Sequence, residues 1–203
     1  MSDSSWESPG PEPQLAELVG QWDYSTLPAN VRLGRECFLE TRGVVGPIKT
    51  TRDPALVIGD RTRILSGGWG GSMTIEDPGM VEIGDDSVLI GVQIMCSELV
   101  RIGARVLVSY NTVIADSDFH PRDPDLRRSD AISGAPLGEW FGYAPRYSAP
   151  VMIEDDVTIG INTLILKGTK IGRGATVLAG SVVTADVASG ASVQGNPARQ
   201  VEP

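Results

Sequence analysis

The sequence predicts an all-β chain wound as a parallel β-helix of hexapeptide repeats, with one long loop excursion and an irregular N-terminal arm. Three observations predict it. Aliphatic residues stand six apart at Ile153, Ile159, Ile165, Ile171, Val177 and Val183. The residue four places after each is small or β-branched: Val157, Thr163, Thr169, Ala175, Ser181 and Val187. A period of six fits neither a helix nor a free strand, but it fits a three-sided coil whose flat sides take about six residues each. Composition agrees, because aromatics are 5% of the 203 residues while glycine contributes 24 and proline 14. That balance suits a narrow aliphatic core with glycine at the corners.

Residues 1–30 read as an arm, polar and proline-rich to Pro13, with a short helix possible over Gln14–Gln21 before Pro28. The coil domain runs over 31–201. It begins irregularly at Leu33, Leu39, Ile58 and Ile64, with a bulge around Gly43–Pro54 and a break at Gly67–Gly71. That glycine run lacks the Lys-Ser/Thr ending of a phosphate loop. A cleaner block places Ile83, Leu89 and Met95 inward, slips by one residue, and continues at Ile102, Val108 and Ile114. Residues 121–150 break the pattern with prolines, arginines and the aromatics Trp140, Phe141, Tyr143 and Tyr147. An excursion of about thirty residues inside a compact domain is usually functional or disordered, and this one is rich in aromatics. Asp155, Asp156, Asn162, Lys170 and Arg173 are expected at corners, and the tail from Gly190 to Pro203 is expected to cap an open coil end.

The net charge of -9 disfavours a general electrostatic grip on nucleic acid or on an anionic membrane. Cys37 and Cys96 give no metal spacing and no disulfide framework, Met1 is followed by no apolar leader core, and no apolar run is long enough to span a bilayer. A cytoplasmic setting is the expectation, with no nucleic-acid partner and no membrane insertion.

The chain has one histidine, His120. Counting sixes from Ile102 puts His120 on an inward aliphatic slot and Asp118 on an inward small slot, where both would be costly to bury unpaired. Either they pair inside or the chain leaves the coil here, and Pro121 favours departure. Asp116, Asp118 and His120, spaced by two, can then project to one side of an extended segment. A histidine beside carboxylates at a loop root suits a general base oriented by its neighbour; it equally suits a cap on the coil's exit. Asn111 and Asp116 suit binding of acceptor hydroxyls, or turn geometry. Trp140 suits stacking on a sugar, or anchoring the loop to its own scaffold.

From Ile153 to the closing run Gly195-Asn196-Pro197-Ala198-Arg199-Gln200-Val201, the chain resembles the hexapeptide-repeat acyltransferases, and the likeness covers most of residues 31–201. Within them it is similar to the maltose, galactoside and Nod-factor type O-acetyltransferases and to the polysaccharide acetyltransferases. The resemblance implies a left-handed coil, an exception to the usual crossover hand, and a homotrimer with active sites between subunits. It also implies acetyl transfer from acetyl-coenzyme A to a hydroxyl, less often an amine, of a small-molecule or glycan acceptor, without metal. His120 and Asp118 would be catalytic, with Asn111, Asp116 and Trp140 on the acceptor side. Gly160, Ala179, Thr184 and Arg199 would bind coenzyme A, with Lys167, Lys170 and Arg173 as further cations. Thr158 and Ala185 depart from the family pattern, which often has Trp and a basic residue there.

Four other readings compete. A γ-type carbonic anhydrase needs three histidines for zinc. A sugar nucleotidyltransferase or a serine acetyltransferase-like enzyme needs a further N-terminal domain, which the first 30 residues are expected not to supply. A non-catalytic scaffold or assembly subunit would show regular outward ladders and no disruptive loop.

Overall fold

The computed structural model describes residues 27–40, 45–66, 71–118, 120, 122–132 and 147–202. They form a left-handed parallel β-helix of three faces. Face one stacks the strands Val31–Leu33, Leu56–Ile58, Met80–Ile83, Leu99–Ile102, Val151–Ile153 and Lys170–Ile171. Face two stacks Phe38–Leu39, Arg63–Leu65, Val88–Ile90, Leu107–Val108, Thr158–Ile159, Thr176–Val177 and Ser192–Gly195. Face three stacks Ser72–Ile75, Gln93–Cys96, Val113–Ala115, Leu164–Ile165 and Val182–Val183.

The six-residue period is the cause of this stacking, because it returns a like residue to the same place one coil later. Ile102, Ile153 and Ile171 pair in register on face one, Val108, Ile159 and Val177 on face two, and Ile114, Ile165 and Val183 on face three. All nine are 2% exposed or less, so truncating one such as Ile159 to Ala costs about 2–5 kcal/mol. The hydroxyls in the small inward slots find backbone partners: Thr163 Oγ1 donates to the Gly160 carbonyl at 2.7 Å and Thr169 Oγ1 to the Leu166 carbonyl at 2.7 Å. Burial therefore leaves these polar atoms paired.

Glycine is required where coils touch at the corners. A Cβ on Gly103 would lie 2.5 Å from Asp155 Oδ1 and 2.7 Å from its backbone nitrogen. Arg61, Asp86, Arg105 and Asp156 take left-handed φ between 56° and 63° at the corner between faces one and two. Their side chains pair up the corner, Arg61 to Asp86 and Arg105 to Asp156, each at 2.6 Å. The pairs are close to half-exposed, so each contributes little.

Three details differ from the sequence expectation. Met95 faces outward, while Ile94 and Cys96 are buried. The corner between faces two and three is one residue shorter in this coil, five residues from Leu89 to Ile94 against six from Val108 to Ile114, and that displaces the count. Lys170 lies in a face-one strand rather than at a corner. The excursion also contains a helix, Pro124–Ile132. Asp123 caps it, its Oδ1 accepting the N–H groups of Asp125 and Leu126 at 2.9 Å each, and Pro124 fills the first helical turn. The tail does close the coil end: Ala198–Val201 folds antiparallel onto Ser192–Gly195, and Ala198 packs on the core. Residues 1–26, which hold most of the expected arm, lie outside the described residues.

Cys96 fills the core, as its fully buried position shows. Burial, reinforced by the adjacent Asp116 charge, pushes its thiol well above the ordinary cysteine range. The expected outcome is that a disulfide reagent at pH 8 titrates one thiol fewer in the native protein than in guanidinium.

Candidate active site

The chain leaves the coil at the corner between faces three and one. The strand Val113–Ala115 ends in Asp116, whose side chain is 0% exposed and points into the corner. Its carboxylate accepts the backbone N–H groups of Ser97, Glu98 and Leu99, each at 2.8 Å, and contacts Cys96 Sγ at 3.3 Å. Burial pushes the Asp116 carboxyl up from its ordinary range, against the opposing pull of those N–H donors and the thiol. Asp116, expected to meet the acceptor, instead closes an open backbone corner and presents nothing to solvent. Alternation explains the reversal, since Asp116 points inward when Ala115 and Ser117 flank an extended step.

His120 has left the coil and is exposed. Its backbone N–H donates to the Asp118 carbonyl at 2.7 Å, forming a tight turn that sets the imidazole two residues beyond the coil. Asp118 does not use its carboxylate to orient the ring. Oδ1 meets Lys167 Nζ at 2.7 Å, and Oδ2 meets Arg122 Nη2 at 2.8 Å and Nε at 2.9 Å. Partial burial raises the Asp118 carboxyl, but hydrogen bonds and charge from Lys167 and Arg122 outweigh this and hold it below its ordinary value. A lowered carboxyl contributes its stabilisation fully above its unfolded pKa near 4 and loses it as pH falls through the folded value. Limited proteolysis in the excursion is therefore expected to be unchanged from pH 8 down to about pH 5 and to accelerate only below about pH 4.

The second group of expected site residues assembles at a different corner, between faces two and three. Gly160 and Ala179 stack directly: a Cβ on Gly160 would lie 2.7 Å from the Ala179 nitrogen. Arg199 pairs with Gln194 in the closing hairpin, one coil beyond Leu178. These three line up along the corner parallel to the coil axis. Asn111 joins them rather than His120; its Nδ2 donates to Asn162 Oδ1 at 2.6 Å, and both residues take left-handed φ. Thr184 ends the strand Val182–Val183 and is exposed on the far edge of face three, toward the His120 corner. Trp140 lies outside the described residues.

The basic supply is narrower than the sequence implies. Lys167 is engaged at the loop root, Lys170 pairs with Glu154 at 2.7 Å, and Arg173 pairs with Asp155 at 3.0 Å. Arg199 makes no ion pair among the described residues; its Nη1 donates to the Ala198 carbonyl at 2.9 Å. Arg199 therefore offers the uncommitted charge at this end of the coil.

An apolar feature joins the two corners. Leu107, Tyr110 and Ile161 are 42%, 38% and 45% exposed, and Tyr110, Asn111, Ile161 and Asn162 line a cavity of about 300 Å³. The outer side of face three continues it with Val113, Leu164 and Val182 in one register column. The hexad count contains this signal, because large apolar residues occupy outward slots; it goes unnoticed when only inward slots are scored. Among the described residues no cluster of three or more His, Cys, Asp or Glu could hold a metal, and no helix is long and apolar enough to cross a membrane.

Comparison with known proteins agrees with the coil. Residues 150–185 match the family model described as the hexapeptide repeat of succinyl-transferase. A stretch of 58 residues is 52% identical to the 2,3,4,5-tetrahydropyridine-2,6-dicarboxylate N-acetyltransferase of Staphylococcus aureus, covering 29% of this chain and 24% of that protein. The chain thus matches about a quarter of the length of these curated relatives. Among solved structures, a variant of an N-acyltransferase from Bacillus cereus, in complex with dTDP and coenzyme A, aligns with a TM-score of 0.66 at 14% identity, covering 91% of this chain and 90% of that one. A hexapeptide-repeat-containing acetyltransferase from Vibrio cholerae aligns with a TM-score of 0.50 at 24% identity, covering 84% of this chain and 72% of that one. At these identities the structural likeness establishes the fold. The resemblance to the hexapeptide-repeat superfamily holds in sequence over the C-terminal coils and in architecture over most of the chain.

Proposed function

From a hexapeptide-repeat coil that expels its one histidine at the root of an excursion, we propose that the protein is an acetyl-CoA-dependent acetyltransferase with His120 as general base. The observation that carries this reading is the position of His120: exposed on a turn fixed to a rigid coil, where the hexad register demands an aliphatic residue. His120 takes the proton from an acceptor hydroxyl or amine as its lone pair attacks the thioester carbonyl. The tetrahedral oxyanion collapses, the C–S bond breaks, and the departing coenzyme A thiolate recovers the proton from the imidazolium. A positioned base contributes about 10²- to 10⁴-fold, and joint binding of donor and acceptor lowers the barrier further.

The donor lies along Gly160, Ala179 and Arg199, with Arg199 near its phosphates. That corner and the His120 corner are separated by one face of about six residues, or roughly 20 Å at strand rise. A site that uses both groups at close range draws them from neighbouring copies, in a homotrimer whose seam covers Tyr110, Ile161 and the aliphatic outer side of face three. The three-fold arrangement closes, as a ring of like interfaces requires.

The acceptor is a small hydroxylated or amino-bearing molecule. A sugar or glycan hydroxyl is the acceptor the sequence resemblance implies, and the relative from Staphylococcus aureus is named for N-acetylation. The test is thiol release from acetyl-CoA over a panel of sugars, glycans, aminosugars and amino dicarboxylates. Turnover with a hydroxyl or an amine acceptor is the expected result. Absence of both turnover and calorimetric coenzyme A binding would leave the coil a scaffold.

A further inference from the structure

The excursion that carries His120 leaves the coil through Ser117 and Asp118 and returns through Tyr147 and Ser148, and the two limbs meet in an antiparallel bridge between Ser117 and Ser148. The Ala149 N–H donates to the Asp116 carbonyl at 2.9 Å, closing the base of the excursion. One side chain from the following coil grips both limbs. Lys167 Nζ sits 2.7 Å from Asp118 Oδ1 on the outgoing limb and donates to the Tyr147 carbonyl on the returning limb. Arg122 completes the arrangement, binding Asp118 Oδ2 and lying 5.7 Å over the Tyr147 ring. His120 stands midway between Asp118 and Arg122, so the ion pair between them brackets the residue that carries the imidazole.

We propose that Lys167 is a positioning residue for His120: it ties the two limbs of the excursion to the rigid coil and so fixes the turn on which the imidazole stands. This rests on the reading of His120 as the base. An ammonium has three N–H donors, and two of them are spent here on acceptors from opposite limbs. Lys167 is also the least exposed lysine of the C-terminal coils, its side chain 23% accessible against 59% for Lys170. Both facts set it apart from a cation waiting for the donor's phosphates. A base displaced by about 1 Å can lose on the order of 10²-fold in rate. A clip two residues from His120 controls displacements of that size.

The experiment compares wild type with Lys167→Met, Lys167→Arg and the control Arg61→Met, at the corner between faces one and two, using two readouts. The first is steady-state kinetics of acetyl transfer. The second is the NMR signal of the histidine ring Cε1–H, which is unambiguous because the chain has one histidine. In Lys167→Met, kcat is expected to fall about 10- to 100-fold with the KM for acetyl-CoA within about twofold. The His120 signal should shift toward that of the unfolded chain and sharpen. Lys167→Arg should recover part of both effects, and Arg61→Met should match wild type. An unchanged His120 signal with unchanged kcat in Lys167→Met overturns the proposal. So does a rise in acetyl-CoA KM at constant kcat, which would make Lys167 a phosphate ligand. If Lys167→Met fails to fold, Lys167→Gln, with a neutral donor in place of the cation, takes its place under the same criteria. If wild type shows no acetyl transfer, the functional reading falls and the histidine signal alone decides the placement.

Discussion

Replacing His120 with alanine is expected to lower kcat/KM for acetyl transfer by about 10²- to 10⁴-fold while leaving folding and coenzyme A affinity in place. The separation of effects follows from where the residue sits. His120 is exposed and outside the hydrophobic core, and its hydrogen bond to Asp118 runs through the backbone, which the substitution keeps. The substitution removes no group from the proposed donor corner at Gly160, Ala179 and Arg199, so the Kd for coenzyme A should change less than about twofold. A residual rate above the uncatalysed reaction is expected, because donor and acceptor are still held together. Activity that survived the substitution undiminished would exclude the imidazole as the base.

Asp116→Ala is expected to destabilise the fold by about 3–5 kcal/mol, the largest effect of any substitution near the site. The carboxylate is the shared acceptor of three backbone N–H groups at the corner between faces three and one. Alanine leaves these donors buried without a partner, at about 1–3 kcal/mol each before relaxation, and leaves a small void beside Cys96. A natural domain has about 5–15 kcal/mol in total, so the denaturation midpoint should move far or the native state should be lost. Asp116→Asn keeps the shape and one acceptor oxygen but turns an NH₂ toward the donors. Its expected loss is smaller, about 1–3 kcal/mol. An Asp116→Ala protein with an unchanged urea midpoint would show that water can replace the carboxylate and that the corner does not depend on it.

The two residues show how differently sequence and structure distribute their information. The coil was legible because its cause is local: like residues recur at six, and their burial at 0–2% exposure from Ile153 to Val183 needs only that spacing. The departure of the chain at His120 was legible for the same reason, as a polar residue on an aliphatic beat. Met95 faces outward because the chain turns from Leu89 to Ile94 in five residues, a shortened corner that a fixed count of six does not register. The helix Pro124–Ile132 announces itself in the chain only by the capping pair Asp123-Pro124, because the prolines and aromatics around it mask any helical period. Asp116 and Asp118 looked alike in the chain, two residues apart. They separate only through partners elsewhere, Ser97 to Leu99 one coil earlier for Asp116 and Lys167 one coil later for Asp118.

The central claim is an acetyl-transfer site in which His120 from one copy works on a donor bound along Gly160, Ala179 and Arg199 of another. Mixed assembly tests it directly. Chains carrying His120→Ala and chains carrying Arg199→Glu, each near-inactive alone, are co-expressed in equal amounts with different tags, and the doubly tagged oligomers are isolated. If neighbouring copies share each site, every doubly tagged trimer contains one complete site of three, and about one third of wild-type activity should return. If mixed oligomers gain no activity over the two parents, His120 and Arg199 serve the same site within one chain, and the shared-site account is wrong.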